Sequence, residues 1–548
     1  MWFRPSRNSF NRPQPFRPRL EALEDRSLPS GGALDPTFGM GGIVTTNFAG
    51  GGQALAVATY PSVGSANDGK VVSVGYVNSG GGRGEDFAVV RYSLDGTLDR
   101  TFGGTGEVIT NLGSTGDEAH AVAVQSDGKI VVAGQSGSAV ALARYNADGS
   151  LDASFGGKGK GEVIINIGRH SIDHGYSLAL QSDGKILIAG TTSPDSSTVD
   201  AALMRFTTAG ILDPSFGTGG VVITHFSLPV DLNSLGGIHM ALAPGAGKIV
   251  VAAQLDELHQ GPVMVVRYNT NGSLDTSFGR TGEVAISSST LHLSPAVAVQ
   301  LDGRIVVAGS HASDFALTRI NTDGTTDTTF GSGGVVVTPL PTYDVARSVA
   351  IQSDGKIVVA GNEGDAVGDT NHHFMLARYN SANGSLDTNF GVNGIAFARG
   401  LVVNDYSTAA VALEPDGRIV VAGTYNTAGT TDFAVARFLA AGPQIGSFTA
   451  SPNPVTAGGN VTLTASSITD TNPNSTITQV AFCVDSNNDG ILEPGTDTLL
   501  GYATQTSPGV WTFTFTVNLP SGTYTLFAQA EDSYGVFGDS VSLALTVQ

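Results

Sequence analysis

A chain of 548 residues with a formal net charge of −20, from 28 basic against 48 acidic side chains, has room for several domains and a large core. That balance opposes binding to nucleic acid or to an anionic membrane by simple electrostatics, the more so because six of the arginines fall within the first 26 residues. No apolar run approaches the roughly 18 residues needed to cross a bilayer, and the single cysteine, Cys483, allows no intramolecular disulfide.

The chain opens with an Arg- and Pro-rich segment, residues 1–32, that lacks the apolar stretch of a secretory signal. Within it Leu20-Glu21-Ala22-Leu23-Glu24-Asp25-Arg26-Ser27-Leu28 resembles an L-E-x-L-E-x-R-x-L motif found near the start of many exported proteins of one bacterial phylum. The resemblance implies a sorting or processing signal; by composition alone the segment is a disordered basic tail.

From residue 33 a phrase of the form Leu-Asp-x-x-Phe-Gly recurs, with its phenylalanine at Phe38, Phe102, Phe155, Phe216, Phe278, Phe330 and Phe390. A second landmark is the arginine of an A-x-x-R-[YF]-like run, at Arg91, Arg144, Arg205, Arg267, Arg319, Arg378 and Arg437. A third is the turn before a V/I-V-x-G strand, at Asp68, Asp127, Asp183, Asp302, Asp354 and Asp416, decayed in its fourth copy to Pro244-Gly245-Ala246-Gly247-Lys248. Sevenfold recurrence at roughly 60 residues marks an array or a propeller. The second unit shows four strand-like runs, residues 107–111, 121–125, 130–133 and 140–145, rich in Val, Ile and Ala and punctuated by Gly, Asp, Asn and Ser. Four short antiparallel strands per unit predict the blade of a β-propeller. The last unit ends at Arg437-Phe438 without its phrase, and the missing copy stands at Leu34-Asp35-Pro36-Thr37-Phe38-Gly39 with a strand over residues 43–46. An N-terminal strand is therefore expected to complete the last blade and close a seven-bladed ring over residues 33–440.

Phrases such as AVAVQSDGKIVVAG followed by ALARYNADGSLDASFGGKG, in residues 121–159, resemble the delta-60 repeat family over roughly residues 33–440. The resemblance implies a propeller-like array in large exported bacterial proteins and brings no established activity.

Comparison of the repeats separates two faces. From the repeated Arg to the next Phe the spacing is 11 residues five times and 12 once, whereas from the strand glycine (Gly75, Gly134, Gly190, Gly309, Gly361, Gly423) to the next Arg it is 16, 10, 15, 10, 17 and 14. Length variation thus concentrates on one face. All ten histidines fall in or beside the segments of that face: His120, His170, His174, His225, His239, His259, His292, His311, His372 and His373. Function usually lives on variable loops held by a rigid scaffold, so Glu118, His120, Asp173, His174 and Asp231 become candidate ligand-face residues. Solvated loops also accumulate polar residues with no function attached. The repeated Arg and the Asp of Leu-Asp read as a structural ion pair, expected to be exposed and to contribute only about 0–1 kcal/mol.

Beyond Pro443 the period stops and Thr-rich alternation begins. Strands are predicted at residues 445–450, 460–465, 477–484, 498–504, 510–517, 524–530 and 541–547, with Cys483 an inert core thiol. Tyr524-x-Leu526 sits where immunoglobulin-like domains carry a tyrosine corner, so residues 441–548 resemble an immunoglobulin-like sandwich. Asp485, Asn487, Asp489, Ile491 and Glu493, with Gly490 at the sixth place, resemble the opening of a calcium loop. Thr496 replaces the closing Glu and Asp497 follows one place late, so Ca²⁺ and a plain Asx-rich hairpin are both open readings.

No G-x-S-x-G, H-E-x-x-H or phosphate-cradling loop is present. The chain is therefore expected to be all-β, monomeric, extracellular or on a bacterial cell surface. Its expected role is binding a glycan or protein through the variable face. The alternative is a propeller hydrolase or lyase that uses acidic and His residues at the channel mouth.

Overall fold

The computed structural model describes residues 31–548 except 81–83, 169–171, 196–197, 226–237, 246, 255–261, 288, 313, 341–343, 364–372, 400–409, 428–429, 441, 471–474, 488–489, 491, 493–495, 534–536 and 539. The motif at residues 20–28, and with it Asp231, His170, Asp489, Ile491 and Glu493, lies outside the described residues.

Seven four-stranded antiparallel sheets follow one another. The second consists of Asp117–Val124, Ile130–Ser136, Ala139–Tyr145 and Glu162–Ile165, paired in that order. Every residue of Ala139–Tyr145 is buried, because both faces of the strand pack on neighbouring sheets. The seventh sheet pairs Ala410–Leu413, Ile419–Thr427 and Thr430–Phe438 and takes its fourth strand from Ile43–Thr46, with Ile43 opposite Ala436 and Thr46 opposite Phe433. The first strands contact one another in chain order, and Gly52–Thr59 of the first sheet also contacts Ala410–Leu413 of the seventh. One apolar cluster joins Val57, Val71 and Tyr92 to Val420, Phe433 and Val435.

Each sheet is offset by one strand from the predicted unit. Glu107–Thr110 pairs with Glu85–Tyr92 as the outer edge of the first sheet, not with the strand that follows it. The link through Leu-Asp-x-x-Phe-Gly, residues 93–106, folds this strand back on its predecessor, and a shorter connection, residues 111–116, leads on to Asp117–Val124 of the next sheet. Successive connections still alternate between two ends, so the partition into a variable and a constant face survives the offset.

The constant face is held by a buried ion pair, not the exposed one the sequence suggests. Arg91 is 1% and Asp99 5% exposed. Arg91 Nε donates to Asp99 Oδ2 at 2.7 Å, and the same oxygen receives Lys70 Nζ at 2.8 Å. Lysine or arginine from the Asp-Gly turn completes each copy: Lys129 on Asp152, Lys185 on Asp213, Lys248 on Asp275, Arg304 on Asp327, Lys356 on Asp387 and Arg418 on Asp35. The decayed fourth turn has kept the one residue that the pair needs. Each arginine lies over the phenylalanine of its phrase, 4.4–4.7 Å from the ring centroid. Its other nitrogens reach forward, so that Arg91, Arg144, Arg205, Arg267, Arg319 and Arg378 donate to the carbonyls of Ala147, Thr208, Thr270, Thr322, Ser381 and Ala440. Six of the seven pairs therefore tie their own sheet to the segment that follows the third strand of the next.

Burial alone would raise the Asp99 carboxyl, but hydrogen bonds from Lys70 and Thr101 and the charge of Arg91 hold it well below the usual carboxylate range. Asp152, Asp213, Asp275 and Asp327 are lowered in the same way. Removing the carboxylate leaves the buried arginine without its counter-charge, a loss of about 3–5 kcal/mol.

Residues 444–548 form two further sheets. Gln444–Ser451, Asn460–Thr469, Val510–Thr516 and Thr504–Ser507 make one, and Thr498–Tyr502, Ile477–Val484, Gly522–Asp532 and Val541–Val547 the other. The predicted fourth strand is in fact two, because the chain changes sheets at Ala503. Val461, Leu463, Phe482, Trp511, Leu526 and Leu545 share one core between the sheets. The Tyr524 hydroxyl donates back to Pro520 O at 3.0 Å. Cys483 is half-buried and not a core residue. Burial, with the charge of Asp497, pushes its thiol up to about 11, so it is protonated at neutral pH.

Two outcomes follow for stability. Asp275→Ala, which leaves the buried Arg267 unpaired, is expected to lower unfolding stability by about 3–5 kcal/mol in a urea titration, and a loss under about 1 kcal/mol would mean that the pair is as weak as an exposed one. Because the Asp carboxyls are lowered on folding, their contribution is complete above the unfolded value of about 4 and is lost as pH falls further. The urea midpoint should drop most steeply below about pH 4, and a midpoint flat down to pH 3 would contradict the assignment.

Candidate functional site

The seven sheets differ most where their inner strands begin, on the variable face. In the first, second, third and sixth sheets the inner strand carries one extra residue opposite the glycine of the V/I-V-x-G strand: Leu55, His120, Tyr176 and Arg347. Such a bulge re-aims the side chain it adds. The glycine is what permits it, because a Cβ on Gly134 would lie 1.9 Å from Glu118 O, and one on Gly190 1.9 Å from His174 O. In the fourth sheet Ala253 takes the glycine's place, and Ile238–Leu242 pairs with no bulge.

The second and third sheets bring Glu118, His120 and His174 together with Tyr176. Glu118 Oε1 accepts from Gln135 Nε2 at 3.0 Å, and Glu118 Oε2 lies 3.6 Å from His120 Nε2, a buried atom without a hydrogen-bond partner. The side chains of Glu118 and His120 are 24% and 17% exposed. The His120 ring packs on Tyr176 of the next sheet with centroids 5.3 Å apart, and His174 Nδ1 hydrogen-bonds the Tyr176 hydroxyl at 2.9 Å. Burial raises Glu118 above its ordinary value and the charge of Glu85 adds to the rise. Burial pushes His120 down to about 4, helped by the neighbouring His174, itself lowered by burial. Tyr176 is pushed up to about 12, by burial first and then by Glu118. At neutral pH the cluster therefore offers a carboxylate, neutral imidazoles and a phenol, groups that can accept and donate hydrogen bonds and stack.

Asp173 is placed otherwise. It is fully buried, and its Oδ2 accepts from Ile167 N at 2.7 Å, which pins the loop behind it, as Asp117 Oδ2 does for Leu112 N. His225 pairs with Asp200 at 2.8 Å at the rim. Sequence reasoning missed a further ring of polar positions. The residue after the strand glycine, or after Ala253, is Tyr76, Gln135, Thr191, Gln254, Ser310, Asn362 or Thr424, polar in all seven sheets inside otherwise apolar strands. Aligning the seven repeats on the strand glycine is the signal that finds it. Beside the first sheet a pocket of about 640 Å³ is lined by Phe48, Val77, Asn78, Asp86 and Ile109, but Ser79 and Asn111 already occupy the Asp86 carboxylate.

In the C-terminal module Asp485 Oδ2 accepts from Gly490 N at 2.9 Å, and Asp497 Oδ1 from Ser486 N at 2.9 Å. Among the described residues no group of three His, Cys, Asp or Glu side chains is arranged to hold a metal ion.

Seven segments match the family model described as "Domain of unknown function (DUF5122) beta-propeller": residues 66–102, 125–155, 181–216, 247–278, 300–330, 352–390 and 414–442. The chain is a propeller repeat protein. No curated protein matches it. Similar solved structures include a protein of unknown function from Dyadobacter fermentans (13% identity, 74% of this chain and 100% of that one, TM-score 0.36). Another is a protein from Lactobacillus plantarum (14% identity, 65% and 91%, TM-score 0.37). A third is the calcium-binding protein regucalcin from Agrobacterium tumefaciens (12% identity, 58% and 84%, TM-score 0.29).

Proton NMR titration should show His120 and His239, both lowered to about 4 by burial, unchanged between pH 5 and 8; a transition near 6.5 for either would contradict the burial assigned to it. Gly134→Ala should remove the bulge at His120 and cost about 1–3 kcal/mol, and a variant of unchanged stability would show that the glycine is not needed there.

Proposed function

From a propeller repeat protein with one uniform and one irregular face, we propose an exported or cell-surface binding protein that engages a glycan or protein at the irregular face. The observation that carries this reading is where the sevenfold symmetry breaks. The Arg–Asp–Phe staple is the same in every sheet, while the inner-strand bulges present Leu55, His120, Tyr176 and Arg347.

The reading includes a closed seven-bladed ring, supported by the pairing of Ile43–Thr46 with Thr430–Phe438 and by the buried Asp35–Arg437 pair across the two chain ends. It includes residues 441–548 as an immunoglobulin-like spacer, supported by the Tyr524 hydrogen bond to Pro520. It also includes export directed by the segment at 20–28, and Ca²⁺ at the Asp485 loop. Isothermal titration without heat at millimolar Ca²⁺ would remove the calcium site.

One second reading has a specific observation in its favour. Glu118, raised by burial beside the charge of Glu85, has the profile of a general acid in a polysaccharide hydrolase or lyase. Turnover of a bound glycan, lost in Glu118→Gln with binding kept, would establish it.

The test is a soluble glycan panel read by thermal shift and calorimetry on the full chain. His174→Ala should weaken the bound glycan at least about tenfold, or 1.4 kcal/mol, with the melting transition little changed. A panel on which nothing binds, or on which His174→Ala binds as the parent does, would count against this face as the binding face.

A further inference from the structure

Resting on that reading, the geometry points to a ligand class: the mouth formed by the inner strands of the second and third sheets captures a protonated amine, seated on Glu118 Oε2 beside the His120 ring and the Tyr176 ring that packs on it.

Three observations converge. First, Glu118 is only half used. Oε1 takes the Gln135 amide, while Oε2 lies 3.6 Å from His120 Nε2, beyond hydrogen-bonding distance. Second, the groups around it are aromatic and uncharged. His120 packs on Tyr176 at 5.3 Å, and Tyr176 meets His174 edge-on with centroids 5.8 Å apart. An aromatic ring near a carboxylate adds a quadrupole that can favour a cation. Third, the local charge is negative. Both Glu118 and Glu85 act on the Tyr76 phenol, and Glu118 acts on that of Tyr176, so a cation would relieve a repulsion already present.

The groups acting on Glu118 are the charge of Glu85 from the first sheet and the Gln135 amide and His120 ring from the second, with Tyr176 of the third packed on His120. A neutral ligand could use their hydrogen bonds, but only a cation answers the charge. The fit is to an ammonium group on a polar body, such as an amino sugar.

The experiment is calorimetric titration of the full chain at pH 6.5 with chitosan tetraose and, separately, with its fully N-acetylated counterpart, which lacks the charge. The expected result is at least about tenfold tighter binding of the amine form. Glu118→Gln should abolish that preference, so that the amine form binds no more tightly than the acetylated oligomer. Tyr176→Leu should weaken the amine form as well, which keeps the idea testable if Glu118→Gln fails to fold. Equal affinities, or a preference that survives Glu118→Gln, would overturn amine capture while leaving a glycan-binding face intact. No binding of the amine form would overturn it too, and the broader reading would then be judged on the neutral glycan panel.

Discussion

A carboxylate buried between two cations, with a phenylalanine under the guanidinium, is the constraint on which the rest of this molecule depends. Short sheets of four strands expose two apolar faces each and cannot stand alone, so each must be registered against the next. The Asp99 copy shows how this is done. One oxygen gathers Arg91 and Lys70, the other is bound by the Thr101 hydroxyl and amide, and the guanidinium reaches Ala147 in the following unit. Desolvating those charges is costly, and the geometry offsets the cost only when every donor is present. This explains why the lysine of the fourth turn persists where the Asp-Gly does not.

Putting the staples at one end frees the other. There the inner strands begin, and the strand glycine lets four of them carry an extra residue without a backbone clash. The repeat thus fixes where a side chain emerges and leaves open which one does. Leu55, His120, Tyr176 and Arg347 occupy equivalent places with unrelated chemistry. A scaffold of this kind can acquire a site by point substitution, because stability is decided elsewhere.

Much of this architecture is legible in the amino-acid sequence. The sevenfold phrase Leu-Asp-x-x-Phe-Gly points to the propeller, the displaced copy at Leu34 assigns the strand 43–46 to the last sheet, and the variable spacings point to the face that carries Glu118, His120 and His174. The features that are not legible are hidden for physical reasons. Ion-pair burial is a tertiary property, so Arg91 and Asp99 look like any surface pair in one dimension. The strand offset is hidden because a sequence repeat has no preferred starting point. Asp173 resembles a ligand-face residue because a carboxylate pinning a loop amide and one facing solvent have the same local sequence. The change of sheet at Ala503 is invisible for a similar reason, since both halves of residues 498–507 are equally strand-like.

The central claim is that each staple couples its sheet to the next. Hydrogen exchange read by mass spectrometry, comparing the parent with Asp213→Asn, tests it most directly. The account predicts lost protection in Thr198–Phe206, whose Arg205 pairs with Asp213, and also in the turn around Thr270 and Val263–Tyr268 of the following sheet, which Arg205 reaches. Lost protection confined to the third sheet would contradict it.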